Sequence, residues 1–533
     1  MEELNIIKRI QNCLGECLNM LSSEANFSYA ISSEIDKVLE RLIQPMQLAI
    51  IGKISSSKST LVNAILGEEV VRTGQMEETF NVSWLKYGAS DADIIIYFKD
   101  KSIQKVARKD WVKWASHQEE NRLKEDVQYI EVAYEHEILK HINIIDTPGL
   151  DAISQVDSQN TIDFLKKVQP DAVVVLFTHG SIASNTMEVL QMFQQNNCSS
   201  YNLNPLNAIG VLAKADTIWN IGKSDSNILS EGKRVIETLY KNNPSVSNSL
   251  YTILPISSLM SLSIATINNK EIDWVKKLSM TEESILKEML SSPKFFKDNY
   301  YNVGISGLDR EKLESKFGLY GLYLMLTAYK KNPDTTIEEI KQLLKKESGF
   351  KLFSEILQNH FGNRAALIKV QNLIRHLIQV CKEEKKSILK VHDSMVLTIE
   401  KIQNKIITLL LSIHEYQEIK LLTEIYEGKI NLPNPQVEEF KYICGEYGHS
   451  VLKKLAFNEL VSIENMKQKA KERVIHWQKQ YNIISMVSPT KAQSMKIMMQ
   501  SYNLLLNQIN NIEVEIKRAE DVLDSAKLYF YGV

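Results

Sequence analysis

Residues 51–67 read IGKISSSKSTLVNAILG, starting at the end of the apolar run QLAII and passing into STLVNAIL, whose apolar spacing is helical. Strand, loop and helix in that order let backbone N–H groups converge on a phosphate at a helix N-terminus. The stretch follows the pattern G-x-x-x-x-G-K-[ST] except at the second glycine, where it has Ser57. In this reading Gly52, Ser55, Ser56, Ser57 and Thr60 line the phosphates, Lys58 reaches the terminal ones, and the Ser59 hydroxyl is a Mg²⁺ ligand. A Cβ at position 57 crowds the phosphates unless the backbone there keeps φ negative.

Two further stretches decide which nucleotide fits. NIIDTPGLD from Asn143 ends a strand-like run at Asp146, where a carboxylate can hold Mg²⁺ through water, and Gly149 then offers a backbone N–H to a γ-phosphate. In GVLAKADT from Gly210, Lys214 can lie along a purine ring while the Asp216 carboxylate accepts from guanine N1–H and N2–H. Adenine lacks that donor pair, so the motif favours GTP over ATP. LPISS from Leu254, with Ser257, can contact the guanine O6.

These motifs sit among short apolar runs, including NVSWLKYG, ADIIIYF, QYIEVAYEH, DAVVVLFT and LYTILPIS, that alternate with helical segments over residues 46–260. Runs as continuous as DAVVVLF belong to strands buried on both faces, so a mostly parallel sheet covered by helices is expected. Residues 1–45 read as one or two amphipathic helices packing with a helical neck. Residues 261–350 read as a helical extension and hinge, and 351–533 as a helical-bundle stalk with a tip near 428–450 or 482–492. A stretch without Pro or Gly from Arg364 to Glu427 predicts an unusually long helix or helix pair. IITLLLSI from Ile406 and the methionines of SMKIMMQ from Ser494 are read as core-facing, and KEEKK from Lys382 as a solvated face.

Composition narrows the class. A formal net charge of −2 over 533 residues gives no global field for nucleic acid or an anionic membrane. Five scattered cysteines without CxxC spacing indicate reduced thiols, with Cys13 and Cys17 facing the core of a helix pair. The first residues, MEELNIIKRI, are no signal peptide, and no apolar window is long enough to span a bilayer. The expectation is a cytoplasmic protein with at most peripheral membrane contact.

On the motifs SKSTLVNAILGEEVV, EETFNVSWLKYG and ESGFKLFSEILQNHFGNRAALI, the chain resembles the dynamin-family GTPases, in particular bacterial dynamin-like proteins, and its length also suits the LeoA type of enterobacterial dynamin-like protein. The resemblance implies an α/β P-loop GTPase domain joined to an all-α stalk, with GTP/GDP and Mg²⁺ as ligands. It gives Thr79 the place of the switch threonine, on Mg²⁺ and beside the attacking water, and lets Ser55 help bind a charge-compensating cation. Self-association through the GTPase domain, peripheral lipid contact and a partner dynamin-like or regulatory protein are further implications. The implied activity is GTP hydrolysis coupled to membrane remodelling, fusion or vesicle release. Four departures matter: Ser57 in place of the loop glycine and Ile54, where eukaryotic members have a glutamine, favour slow turnover, while Glu78 stands where the family often has a threonine and Ala213 where Asn or Thr is usual before Lys214. The alternative is a weakly hydrolysing GTP-binding regulator whose helices hold a protein partner without remodelling membranes.

Overall fold

The structure, a computed structural model, describes residues 2–22, 28–53, 56–71, 81–111, 114, 126–149, 168–179, 203–222, 227–244, 246–362, 364–388 and 393–531. Residues 45–357 form one unit, and residues 1–44 together with 358–533 form another.

Among the described residues the first unit is built on nine strands: β1 (Met46–Gly52), β2 (Ser83–Tyr87), β3 (Ile94–Phe98), β4 (Ile103–Val106), β5 (Val127–Tyr134), β6 (Ile142–Asp146), β7 (Ala172–Phe177), β8 (Ala208–Leu212) and β9 (Ile253–Pro255). They lie in the order β4-β3-β5-β2-β6-β1-β7-β8-β9. Pairings β1–β6, β1–β7, β7–β8, β8–β9 and β2–β5 are parallel, while β2–β6, β3–β4 and β3–β5 are antiparallel. The sheet is therefore mostly parallel. Every residue of β1, β6, β7 and β8 is buried, as continuous β-branched runs demand. Strand β4 (IQKV) has no counterpart in the sequence reading. It is an edge strand with three exposed residues, so no hydrophobic pattern marks it.

Beyond β9 the same unit continues as helices, among them Ser258–Thr266, Asn269–Ser279, Gly307–Lys331 and Ile337–Glu347. Met260, Leu278, Phe317, Tyr320 and Leu344 share one core there. A single cation organises the loop ahead of the long helix. Arg310 is fully buried, and its Nε donates to Phe296 O at 2.7 Å, its Nη1 to Ile305 O at 2.7 Å and Tyr301 O at 3.2 Å, and its Nη2 to Asp298 O at 2.5 Å. Carbonyls that no strand or helix pairs thus find donors, which the cost of burying them requires.

The second unit joins helices Glu2–Met20 and Tyr29–Leu42 to Ala365–Ile388, Asp393–Leu411, His414–Tyr426, Asn434–Ile443, Ile463–Ile484 and Pro489–Tyr531. Ile10, Leu14, Ile35, Val38, Leu377 and Ile402 meet in its core, with Cys13, Cys17 and Cys381 as free, buried thiols. Lys369 Nζ donates to Leu42 O and Arg41 O, both at 3.3 Å, and also to Gln44 O, so a cation closes the C-terminal carbonyls of the second helix. Among the described residues the Pro- and Gly-free run gives three helices, Ala365–Ile388, Asp393–Leu411 and His414–Tyr426. One break falls at Ser412, whose hydroxyl donates to Leu409 O at 2.6 Å and competes with the helical ladder, while Arg9 Nη2 donates to the same hydroxyl at 2.8 Å. In IITLLLSI, Ile406, Leu410 and Ile413 are buried while Ile407 and Leu411 are exposed, the division expected of a core-facing helix.

Buried polar groups also hold this unit. Arg364 Nη1 lies 3.4 Å from Glu446 Oε2, and the Tyr426 hydroxyl donates to both Glu446 oxygens at 2.9 and 3.0 Å. His414 Nε2, Ser501 Oγ and Glu418 Oε1 form a second cluster, with Ser501 donating to Glu418 at 2.5 Å. Among the described residues no helix is long and apolar enough to cross a membrane.

Candidate functional site

The parallel strands bring the motifs to one edge. Ile50 pairs with Asp146, Gly52 with Leu176, Phe177 with Leu212 and Leu212 with Pro255, so the C-terminal ends of β6, β1, β7, β8 and β9 come out together. With strands about 4.8 Å apart, the loop after β8 lies on the order of 10 Å from the loop after β1. A nucleotide laid across β7 can place phosphates at one and base at the other.

At the phosphate end, Gly52 closes β1 so tightly that an added Cβ would stand 2.7 Å from Ser56 Oγ and 3.0 Å from Leu176 O. Ser57 precedes the helix Lys58–Leu66 with φ 65° and ψ 32°, a left-handed conformation. The negative φ that would keep a Cβ at this position clear of the phosphates is therefore not adopted. Position 57 holds the backbone that suits glycine while carrying a Cβ, at a cost of about 1 kcal/mol. Ser57→Gly therefore raises the stability of the α/β unit by about 1 kcal/mol in denaturant unfolding. An unchanged midpoint would show that the strain is absent.

Lys58 is 7% exposed and curls back over its own loop, donating to Gly52 O at 3.2 Å and Lys53 O at 3.0 Å. Ser59 Oγ donates to Asp146 Oδ2 at 2.9 Å. Asp146 is fully buried, and its Oδ1, like Ser56 Oγ, has no hydrogen-bond partner among the described residues. An unpaired carboxylate oxygen beside a hydroxyl is a hard-oxygen donor set, and it fits Mg²⁺. Thr147, next in the chain, anchors the turn by donating from Oγ1 to Ile50 O at 2.8 Å, and Gly149 is buried in that turn. Asn63, which the sequence reading passed over, accepts from Val70 N at 2.9 Å and Val71 N at 2.7 Å and so fixes the segment that leaves the phosphate helix. Ser55 and Thr79, with Ile54 and Glu78, lie outside the described residues.

Burial pushes the Asp146 carboxyl from its ordinary 3.8 up to about 6, with the Lys58 charge and the Ser59 hydroxyl pulling it back. The native state of the ligand-free protein therefore binds this proton more readily than the unfolded chain does. Its stabilising contribution is fully present below pH 3.8 and is lost as the pH rises through about 6. Metal binding runs the other way, because only the ionised carboxylate is a ligand. Mg²⁺-dependent GTP affinity should accordingly rise between pH 5 and 7, as followed by calorimetric titration. A flat profile over that range would refute the role given to Asp146.

At the base end, Lys214 is exposed and takes a left-handed backbone with φ 53°. The Asp216 carboxylate is hydrogen-bonded to Ser257, and burial raises its pKa against that bond and the Lys214 charge. Ser257 is fully buried and its hydroxyl caps the helix Ser258–Thr266 by accepting from Met260 N at 3.3 Å. Two motifs read separately in the sequence, AKADT and LPISS, thus meet through one hydrogen bond.

Residues 48–215, which hold the phosphate end of this site and reach Lys214 at the base end, match the family model described as the dynamin family. That stretch of the chain is similar to the dynamin family. Isoniazid-induced protein IniC of Mycobacterium tuberculosis is 22% identical to this dynamin-like chain over 437 residues, 81% of the chain and 84% of that protein. Dynamin-like protein 2 of Campylobacter jejuni is 31% identical over 143 residues, which are 26% of the dynamin-like chain and 22% of that protein. A solved structure of an oligomerised bacterial dynamin pair covers 97% of this chain and 93% of its own, at 14% identity and a TM-score of 0.34.

Proposed function

We propose that this dynamin-like protein binds GTP with Mg²⁺, hydrolyses it to GDP and phosphate, and couples its nucleotide state to the helical unit for membrane remodelling, fusion or vesicle release. The observation that carries the reading is the common edge on which Lys58 and Ser59 follow β1 and Asp146 ends β6 while Asp216 and Ser257 follow β8 and β9. Lys58 and the loop amides would stabilise charge on the phosphates as water attacks in line. Ser59, and Asp146 through water, would hold Mg²⁺, which when bound neutralises charge on the phosphate oxygens; Thr79 would join them and orient the water. Gly149 would sense the γ-phosphate and Ser55 would bind a compensating cation. Self-association through the GTPase domain, with a second dynamin-like or regulatory protein as a further partner, completes the reading.

Peripheral membrane contact is supported by the helical hairpin of Ile463–Ile484 and Pro489–Tyr531. At its turn Ile483 is 66%, Met486 93% and Val487 83% exposed, with Lys479 and Lys491 exposed on either side. Apolar side chains flanked by lysines suit a surface of anionic lipid. The segment 428–450, by contrast, buries Phe440, Ile443 and Glu446. The second reading, a GTP-binding regulator that hydrolyses weakly and holds a protein partner, is favoured by the left-handed backbone at Ser57.

Titration of the full chain with GTP, GDP and ATP, followed by turnover with and without anionic liposomes, tests these readings. Guanine nucleotides are expected to bind at least about 100-fold more tightly than ATP, since a half-buried acceptor pair would be left unpaired by a base lacking both donors. Liposomes are expected to bind the protein and stimulate turnover. Equal ATP affinity would defeat the assignment of Asp216, whereas tight GTP binding with negligible hydrolysis and no lipid binding would favour the regulator.

A further inference from the structure

Lys316–Met325 reads KFGLYGLYLM, an apolar helical run in which Gly318 has no evident purpose and costs about 1 kcal/mol relative to alanine. The helix Gly307–Lys331 breaks there. Gly318 has φ 66° and ψ 164°, a conformation open essentially to glycine alone. The break faces the base end of the nucleotide site. A Cβ built on Gly318 would stand 3.3 Å from Asp216 Oδ2, 3.9 Å from Asp216 Cγ and 3.8 Å from Leu259 Cδ2. Contact at 3.3 Å forces one partner to give way, and here that partner is the carboxylate that reads the base.

The same stretch of chain surrounds Asp216 from other directions. Trp219, three residues on, packs against Tyr320 and Tyr323 with ring centroids 5.5 and 4.8 Å away. Ser257, bonded to the carboxylate, donates its backbone N–H to Ser348 O at 2.9 Å. Residues well past the nucleotide motifs therefore frame the group that selects guanine.

We propose that Gly318 is a specificity-determining positioning residue: by breaking its helix and lacking a side chain, it leaves both oxygens of Asp216 aligned to accept from guanine N1–H and N2–H. The proposal rests on the reading of Asp216 as the guanine acceptor. Adding a methyl group at 318 shifts the carboxylate by a few tenths of an ångström and so weakens the charge-assisted hydrogen bonds that only guanine nucleotides make.

The full chain carrying Gly318→Ala is titrated with GTP and with ATP, beside the unsubstituted protein. The ratio of GTP to ATP affinity is expected to fall by about tenfold or more. General destabilisation would weaken both nucleotides alike, so an unchanged ratio in a folded variant overturns the proposal. A second measurement needs no variant: amide hydrogen exchange in the unsubstituted protein with GDP added. Slowed exchange at residues 316–321 together with 57–61 is the expected result. Protection at 57–61 alone overturns the role of Gly318 while sparing the nucleotide reading, and protection at neither overturns both.

Discussion

In Lys58→Ala, GTP affinity falls by about 100-fold or more, from the loss of charge-assisted hydrogen bonds worth about 1.5–3 kcal/mol each. The side chain is already ordered and buried, held by the carbonyls of Gly52 and Lys53. Little further ordering is required for it to meet a phosphate, which is why the loss is large. A second effect follows from charge. Lys58 is the chief group holding down the Asp146 carboxyl against burial, so its removal moves that carboxyl above about 6. Mg²⁺ then competes with a proton nearer to neutral pH, and the pH at which GTP affinity is half maximal moves upward. Calorimetric titration at several pH values separates the two effects. Affinity within threefold of the unsubstituted protein would remove Lys58 from the site.

Glu446→Ala destabilises the helical unit by about 3–5 kcal/mol, the range for removing one partner of a buried ion pair. The carboxylate is the group facing Arg364 at 3.4 Å, and both side chains are almost wholly buried. Nε and Nη2 of Arg364 have no other partner among the described residues, so the guanidinium would be left uncompensated. The Tyr426 hydroxyl would lose its bonds to Glu446 as well. Replacing both charges, as in Arg364→Met with Glu446→Leu, costs much less than either single change, because no unpaired ion remains. Denaturant unfolding of the full chain, followed by a probe within the helical unit, reads the difference. Equal losses in the single and double variants would show that the pair contributes packing alone.

The sheet was legible because its inner strands are unbroken apolar runs, and because Asp146 and Lys214 follow such runs directly. Strand β4 was not, since an exposed edge leaves no pattern to read. Ser57 was recognised as the departure at the phosphate loop, but the sign of its φ, which decides whether the Cβ crowds the phosphates, is not written in the residue type: the loop keeps the left-handed turn and the serine accepts the strain. Breaks in a helix without Pro or Gly, as at Ser412, depend on tertiary hydrogen bonds such as that from Arg9 and are invisible to spacing. Gly318 shows the same limit in reverse, its neighbours reading as uninterrupted helix while its meaning lies in Asp216, about a hundred residues earlier in the chain. The Cys13 and Cys17 thiols, by contrast, follow directly from their one-turn spacing on an apolar face.

Because residues 2–42 complete their core with helices that begin at Ala365, the order of synthesis matters. At roughly 5–20 residues per second, on the order of 15–60 s of translation separates the two halves of that core. Throughout that interval Ile10, Leu14, Ile35 and Val38 lack the partners that bury them. Either a chaperone shields the nascent helices or they shelter against each other, while the whole α/β unit has time to fold before the helical unit can close.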